Sequence, residues 1–290
     1  MQIKLKAPAK INLTLEIIKR LPNGYHELRT VILKLDSLFD EIAIEFIPNS
    51  TGIKIQSDSK EIPLDEKNTC YRVAQKYFEK VKKPIGLEIR IKKNIPAGAG
   101  FGGGSSDGAA VLLILNKYFK NKLSPKQLIE IAQEVGKDIP VFLIKERAVM
   151  VGGMGEKLNP FPCQTRLNFL VINPKIHSST KKAYEFASRK LWFMENKKRT
   201  DISRKMIKAL KNKDKKEIAR NLYNDFEVVL EKTFPVIKEL KQALLAFGAE
   251  GVLMTGAGSS VFGIFSSKKE AVAAKKILAK RHPNFFFHAE

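Results

Sequence analysis

The sequence is poor in cysteine and in long apolar runs, and each shortage excludes a class of protein. Its two cysteines, Cys70 and Cys163, lie far apart among 290 residues and have no clustered histidines near them, so neither a disulfide framework nor a zinc site is indicated. No apolar stretch approaches the roughly 18 residues that suggest a membrane span. A hydrophobic content of 44% with 28% charged residues is instead typical of a soluble globular protein.

The N-terminus lacks the features of a targeting segment. Residues 1–17, MQIKLKAPAKINLTLEI, alternate apolar and polar residues as a strand does, which leaves no room for a signal or transit peptide. The expected location is therefore cytoplasmic, in a reducing compartment, with no membrane partner.

Acidic residues are scarce beside basic ones, since 30 Asp and Glu oppose 52 Lys and Arg, for a net charge of +22. Such an excess invites a nucleic-acid partner. Residues 181–220 hold 15 basic and 5 acidic residues, but their aromatic residues are bunched at one end. Single-strand binders instead combine basic grooves with stacking aromatics. A solvated helical face is the favoured interpretation and no nucleic-acid partner is expected, while a basic nucleic-acid-binding protein stays open as an alternative.

The hydrophobic pattern predicts mixed α and β structure. Apolar and polar residues alternate over 11–17 and 86–91 as in half-buried strands, and a second strand is expected over 30–38. Strand, glycine loop and strand follow one another over 250–265. Helices are expected within 109–119, 124–135, 233–247 and 266–281. The turn-rich residues 150–160 predict a domain boundary near residue 160, which divides the chain into domains 1–160 and 161–290.

The segment PAGAGFGGGSSD, residues 96–107, places five of the chain's 18 glycines in twelve positions. It joins a strand to a helix, and a helix N-terminus with unpaired N–H groups suits a phosphate, whereas a mere linker needs only a few residues. Gly98, Gly100 and Gly103 match G-x-G-x-x-G, but no acidic residue follows where a dinucleotide site wants one, so that alternative is disfavoured. A Walker A loop is excluded, because Gly104 and not lysine follows Gly103.

Five segments taken together resemble a known superfamily. They are KAPAKINLTL, NGYHEL, PAGAGFGGGSSD, GKDIPVF and MTGAGSSVFG, in this order over residues 6–263. The set is similar to the galactokinase, homoserine kinase, mevalonate kinase and phosphomevalonate kinase (GHMP) superfamily, and most similar to its members that act on a cytidine diphosphate sugar alcohol.

The resemblance implies a fold and a reaction. The fold would be the α/β (α+β) arrangement of this superfamily, with a nucleotide-binding N-terminal kinase domain, a C-terminal kinase domain and the active site in the cleft between them. The reaction would be ATP-dependent phosphorylation of the 2-hydroxyl of 4-diphosphocytidyl-2-C-methyl-D-erythritol, in the non-mevalonate isoprenoid pathway, with Mg²⁺ on the phosphates and the protein a monomer or homodimer. Another small-molecule kinase of the same superfamily is the alternative.

The resemblance also implies roles for individual residues. Asp138 matches the catalytic base that takes the proton of the attacking hydroxyl, and Lys10 matches the lysine that keeps this carboxylate ionised and offsets charge on the phosphoryl group. No metal-ligating residue is assigned. The residues matched to ATP binding are Pro96, Gly98, Gly100, Gly102, Gly103, Gly104, Ser105 and Ser106. Those matched to substrate binding are Asn12, Tyr25, His26, Thr180 and Tyr184, of which Tyr25, His26 and Tyr184 would surround the cytosine ring. A supporting loop is formed by Thr255, Gly256, Ala257, Gly258 and Ser259.

Overall fold

The computed structural model describes residues 2–176 and 201–290. Thr180, Tyr184 and the first half of the basic stretch lie outside the described residues. The chain forms two compact units, each assembled from segments distant in sequence. Unit 1 comprises Met1–Ala9, Leu35–Ala97 and Gly102–Lys145, and unit 2 comprises Lys10–Lys34, Gly98–Phe101 and Glu146–Glu290. These units do not follow the division at residue 160, which stays a prediction.

Unit 1 packs helices on a small sheet. Residues 41–47 of strand β2 (His26–Ile47) pair antiparallel with β4 (Gly86–Lys92), and β4 pairs parallel with β3 (Ile53–Ser57). One hydrophobic core joins these strands to the helices, with Tyr77, Ile89 and Leu115 fully buried in it. The elements of this unit are the end of β2 (His26–Ile47), β3 (Ile53–Ser57), β4 (Gly86–Lys92), α1 (Thr69–Val81), α2 (Gly103–Tyr118), α3 (Pro125–Val135) and α4 (Ile139–Leu143).

Helix α3 shows how local sequence sets an element's start. The Ser124 hydroxyl accepts from the main-chain N–H of Gln127, while the Gln127 side chain accepts from the main-chain N–H of Ser124. Pro125 occupies the first helical position, where its missing N–H costs nothing. The predicted start of this helix is therefore confirmed, because two orphan donors find partners within four residues.

In unit 2 the first part of β2 pairs antiparallel with β5 (Ala148–Gly153), which pairs antiparallel with β6 (Lys157–Phe161). The short β8 (Tyr223–Asn224) runs parallel to β1 (Gln2–Arg20). A separate sheet has the strand order β11 (Phe286–Ala289), β7 (Asn168–Asn173), β10 (Val261–Phe265) and β9 (Gly251–Met254). Helices cover a second hydrophobic core that includes Phe226, Leu240 and Phe265. The elements are β1 (Gln2–Arg20, which begins in unit 1), β5 (Ala148–Gly153), β6 (Lys157–Phe161), β7 (Asn168–Asn173), β8 (Tyr223–Asn224), β9 (Gly251–Met254), β10 (Val261–Phe265), β11 (Phe286–Ala289), α5 (Ile202–Lys211), α6 (Lys215–Arg220), α7 (Glu227–Thr233), α8 (Pro235–Ala246) and α9 (Lys268–Arg281).

Strand β1 differs from the half-buried strand that its alternation predicts. Its polar side chains Asn12, Thr14 and Glu16 are at most 4% exposed, as buried as the apolar Ile11 and Leu13 between them. Both faces of this part of the strand are covered by protein, so the polar face must find its hydrogen bonds inside the molecule. Across the described residues, no helix is both long and apolar enough to cross a bilayer.

Candidate active site

Lys10 is a buried lysine on the polar face of β1. It is 4% exposed, and its Nζ donates to Oδ1 of Asn12 at 2.7 Å. The two residues are two positions apart in a strand, so their side chains leave the same face. The main-chain N–H of Lys10 donates to the carbonyl of Phe101 at 2.9 Å. The lysine is thereby tied to the part of the glycine segment that belongs to unit 2.

This part of the glycine segment, residues 98–101, lies against the loop after β9. Gly100 has a φ of +80°, and a Cβ there would come within 2.9 Å of the carbonyl oxygen of Thr255, so glycine is required on both grounds. The hydroxyl of Ser260 donates to the carbonyl of Ala99 at 2.6 Å. The structure thus brings the predicted supporting loop into direct contact with the glycine segment.

The supporting loop is closed by its own hydrogen bonds. The N–H of Thr255 donates to the carbonyl of Ser260 at 3.0 Å. The side-chain amide of Asn224 donates to the carbonyls of Met254 and Gly256, at 2.8 and 2.9 Å. In turn the Thr255 hydroxyl accepts from the main-chain N–H of Asn12 at 2.9 Å. The loop is therefore held rigidly beside the Lys10–Asn12 pair.

The rest of the glycine segment opens helix α2 in unit 1. The helix begins at Gly103, six residues before the predicted apolar stretch, and its N-cap is Gly102 in the left-handed region with no side-chain cap. Uncapped N–H groups at a helix start are donors for an anion. Ser106, in the first turn, has a buried hydroxyl without a hydrogen-bond partner in the described structure. These features suit oxygen-rich anionic groups.

A buried cluster of charges flanks the same segment. The Lys93 cluster consists of Lys93, which precedes the segment, Asp107, which ends it, and Asp40 of β2. The Lys93 ammonium contacts Oδ2 of Asp40 and lies 2.8 Å from Oδ2 of Asp107. The other oxygen of Asp40 accepts from the main-chain N–H groups of Asn94 and Ile95, at 2.6 and 2.8 Å. The cluster thereby clamps both ends of the glycine segment in unit 1.

The charges within the Lys93 cluster shift one another's proton affinities. Burial raises the pKa of Asp107 to about 7, and the charge of Asp40 adds to this, while Lys93 opposes it. Burial alone would lower the pKa of Lys93, but Asp107 and Asp40 outweigh that and raise it. Lys93 therefore stays charged at neutral pH, whereas Asp107, whose Oδ1 has no hydrogen-bond partner in the described structure, gains or loses its proton near pH 7.

The remaining predicted residues belong to other elements of the fold. Asp138 is an exposed residue at the N-terminus of α4 in unit 1. Tyr25 lies in the turn between β1 and β2 with 56% of its surface exposed, and its N–H donates to the side chain of Asn23. Burial, and secondarily the charge of Arg20, lowers the pKa of the neighbouring His26. Pro96 belongs to unit 1.

The site contains several residues for which the sequence predicts no role. Thr30, which accepts from the side chain of Asn12 at 2.8 Å, lies on another strand, and Asn224 lies in a two-residue strand with no motif around it. Ser260 directly follows the predicted supporting loop, so a signal for it was present. The sequence gives no signal for Asp40, because its partners Lys93 and Asn94 are 53 and 54 positions away in the chain.

Comparison with known proteins places both halves of the chain in one family. Residues 68–146 match the family model described as GHMP kinases N terminal domain, and residues 206–284 match the one described as GHMP kinases C terminal. The chain is 41% identical to the 4-diphosphocytidyl-2-C-methyl-D-erythritol kinase of Caldicellulosiruptor bescii, over 95% of this chain and 94% of the relative. It is 38% identical to the protein of the same name from Acetivibrio thermocellus, over 94% and 93%.

The chain also superposes on solved structures of kinases. The crystal structure of a 4-(cytidine 5'-diphospho)-2C-methyl-D-erythritol kinase superposes with a TM-score of 0.80 at 30% identity, over 99% of this chain and 98% of that one. A homoserine kinase from Cytophaga hutchinsonii superposes with a TM-score of 0.74 at 22% identity, over 100% and 93%. The latter likeness concerns the fold alone, and it agrees with the predicted α/β class.

Proposed function

The chain belongs to the GHMP kinases, and within them to the 4-diphosphocytidyl-2-C-methyl-D-erythritol kinase family. We therefore propose that it uses ATP to phosphorylate the 2-hydroxyl of 4-diphosphocytidyl-2-C-methyl-D-erythritol. This is a step towards isoprenoid precursors in the non-mevalonate pathway. The observation that carries the proposal is the buried Lys10–Asn12 pair, held beside residues 98–101 and the supporting loop. A buried ammonium next to glycine turns suits a substrate rich in phosphate charge.

ATP is proposed to bind along the glycine segment. Its phosphates would accept hydrogen bonds from main-chain N–H groups, which the absence of Cβ atoms leaves accessible, and from the uncapped first turn of α2. The proposed ATP contacts are Pro96, Gly98, Gly100, Gly102, Gly103, Gly104, Ser105 and Ser106.

The chemical step is proposed to use Asp138 and Lys10. The 2-hydroxyl oxygen bonds to the γ-phosphorus, the bond from that phosphorus to the β–γ bridging oxygen breaks, and ADP leaves. The hydroxyl proton passes to the carboxylate of Asp138, since a neutral hydroxyl is a poor nucleophile. The ammonium of Lys10 stabilises the charge on the phosphoryl oxygens.

The residues present fit Mg²⁺ as kinases use it. No three His, Cys, Asp or Glu side chains within residues 2–176 and 201–290 are grouped to hold a metal ion, and Mg²⁺ in nucleotide sites is held by one or two protein oxygens together with phosphates and water. The buried, unpartnered hydroxyl of Ser106 is an oxygen that fits this role. When bound, the ion would neutralise phosphate charge.

The substrate's cytidine end is proposed to lie at Tyr25 and His26. The exposed ring of Tyr25 offers a face on which a flat base can stack. His26, with its lowered pKa, is neutral at pH 7 and can exchange hydrogen bonds with the edge of the base without adding charge. Asn12, Thr180 and Tyr184 are the further proposed contacts.

The test is a coupled assay of ADP release over a panel of acceptors. We expect release with 4-diphosphocytidyl-2-C-methyl-D-erythritol and background rates with homoserine, mevalonate or no acceptor. Turnover with one of the other alcohols, but not with the cytidine compound, would overturn the substrate assignment and leave the kinase class intact.

The same assay tests the proposed base. Asp138→Asn keeps the size of the side chain but cannot take the proton, so kcat should fall about 10²- to 10⁴-fold, with ATP binding unchanged by calorimetry. Asp214→Asn is the matched control, because Asp214 also precedes a short helix, and its activity should be normal. Near-normal kcat in Asp138→Asn with normal ATP binding would remove Asp138 from the mechanism.

A further inference from the structure

The polar face of β1 carries a row of buried, hydrogen-bonded side chains in unit 2. We call Lys10, Asn12, Thr14 and Glu16 the β1 polar row. At one end the Lys10 ammonium meets the Asn12 side chain, and at the other Glu16 accepts from both the N–H and the hydroxyl of Ser203, at 3.1 and 2.5 Å. Because all four side chains are buried, protein groups and not bulk water decide how each of them is oriented.

The orientation of the Asn12 amide matters for Lys10. An ammonium only donates hydrogen bonds, and an asparagine side chain presents an acceptor on one side and a donor on the other. With Oδ1 towards Lys10 the contact is a charge-assisted hydrogen bond of 2.7 Å. If the amide were turned over, its NH₂ group would face the ammonium, and the two donors would repel each other.

Thr30 decides between these two orientations. Its hydroxyl lies 2.5 Å from the main-chain carbonyl of Thr14, which can only accept. A hydroxyl has a single hydrogen, so with that hydrogen given to Thr14 it can only accept from its other neighbour. That neighbour is Nδ2 of Asn12, at 2.8 Å. The NH₂ group is thereby drawn to Thr30, and Oδ1 is left facing Lys10.

A second hydroxyl supports the same orientation. Thr255 Oγ1 accepts from the main-chain N–H of Asn12 at 2.9 Å, and its own hydrogen points to Oδ1 of Asn12 at 3.4 Å. This contact is longer than that of Thr30, which makes Thr30 the stronger determinant. Both hydroxyls are buried, at 4% exposure for Thr30 and 0% for Thr255.

We propose that Thr30 is a positioning residue for the phosphoryl transfer, which fixes the Asn12 amide so that its oxygen holds the Lys10 ammonium in place. Thr30 need not touch the substrate to do this. The inference rests on the proposed function, because it assigns Thr30 to the reaction through Lys10.

The activity test replaces the hydroxyl and leaves the shape. Thr30→Val removes both hydrogen bonds while keeping the branched side chain, so kcat should fall about tenfold to a hundredfold, as for a displaced catalytic group, with KM for ATP changed less than about threefold. Thr30→Ser keeps the hydroxyl and should restore kcat. Thr14→Val is the matched control, because it removes an equally buried hydroxyl that bonds Ser203 and the N–H of Val31 and not Asn12. Its kcat should stay within about threefold of wild type.

A double-mutant cycle separates orientation from general damage. In Asn12→Asp the side chain carries two equivalent oxygens and no donor, so there is no amide for Thr30 to orient. Thr30→Val should then change kcat little in the Asn12→Asp background, although it lowers kcat in the wild-type background. An equal loss in both backgrounds, or normal kcat in Thr30→Val while the wild type is active, would overturn the proposal.

An activity-independent measurement covers the case in which the chain does not phosphorylate the cytidine substrate. In protein labelled with ¹⁵N-asparagine, the Asn12 NH₂ resonance, identified by its loss in Asn12→Asp, should show slow hydrogen exchange and contacts to Thr30. The protection should disappear in Thr30→Val and persist in Thr30→Ser. Unchanged protection in Thr30→Val would refute the orientation by Thr30, whereas absent wild-type turnover with the expected NMR result would refute the proposed function alone.

Discussion

Two buried lysines, one in each unit, differ in the chemical type of the side chains that hold them. In unit 1, Lys93 lies directly between the carboxylates of Asp40 and Asp107. In unit 2, Lys10 donates to the neutral amide oxygen of Asn12, whose orientation is set by hydroxyl groups. Lys93 is held by two carboxylates, whereas the amide oxygen of Asn12 fixes the position of the Lys10 ammonium.

The difference matches what each lysine is placed to do. Lys93 joins the two ends of the glycine segment in unit 1, a structural task for which local neutrality is an advantage, because unpaired buried charge is costly. Lys10 is proposed to meet phosphoryl oxygens, a task that needs a positive charge held in a fixed position. We therefore expect Lys93 to govern stability and Lys10 to govern turnover, and three experiments test this contrast.

The largest effect is expected from Lys93→Met. The change leaves Asp40 and Asp107 buried without their cation, which should lower the free energy of unfolding by about 3–5 kcal/mol. Urea denaturation measures it. The control is Lys92→Met on the neighbouring residue, an exposed lysine paired with Glu41 at 2.9 Å, where the loss should be below about 1 kcal/mol. Equal losses of stability in the two variants would contradict the stabilising role that we give to Lys93.

Lys10→Met should show the reverse pattern. It removes a charge that acts on the phosphoryl group, so kcat should fall about a hundredfold or more, while the free energy of unfolding should fall less than in Lys93→Met, because Asn12 keeps its bonds to Thr30 and Thr255. Lys19→Met, an exposed change on the same strand, should leave both quantities unaltered. A large loss of stability without loss of kcat would assign Lys10 the structural role that we give to Lys93.

The smallest effect, counted per pH unit, concerns the Lys93 cluster. Asp107 has a pKa of about 7 in the folded chain against an ordinary value of 3.8, so between about pH 4 and 7 the folded state binds more protons than the unfolded state. The free energy of unfolding should therefore fall as pH rises through this window, by at most about 1.4 kcal/mol per pH unit from this group, and should level off above pH 7. Asp107→Asn lacks the titrating group.

Urea denaturation at a series of pH values from 4.5 to 8 compares the two proteins. Relative to wild type, Asp107→Asn should gain stability as pH rises towards 7 and then keep a constant difference. Parallel curves across the whole range would mean that Asp107 is ionised throughout. In that case the cluster would carry a net negative charge at all these pH values, and the contrast with unit 2 would have to be redrawn.

Local chemistry allowed several elements to be predicted from the sequence. The helix expected within 124–135 is α3, which starts at Pro125, and the helix expected within 233–247 contains α8 (Pro235–Ala246). The glycine segment and the loop at Thr255 were identified as motifs, and the family likeness has been confirmed over nearly the whole chain. The roles implied for Asp138, Lys10 and the other site residues stay predictions. The motifs behind these predictions are each contained in a stretch of a few to a dozen residues.

The sequence by itself therefore determined the class of fold, the family and the segments that carry the proposed chemistry, because short motifs and periodicity encode them. Only the tertiary structure decided that the polar face of β1 is buried, that Thr30 orients Asn12, and that Asp40 reaches Lys93 across 53 positions. The physical reason is that a hydrogen bond between strands depends on their register and on what covers them. Neither the register of the strands nor what covers them can be predicted from the residues on either side of Thr30 or Asp40.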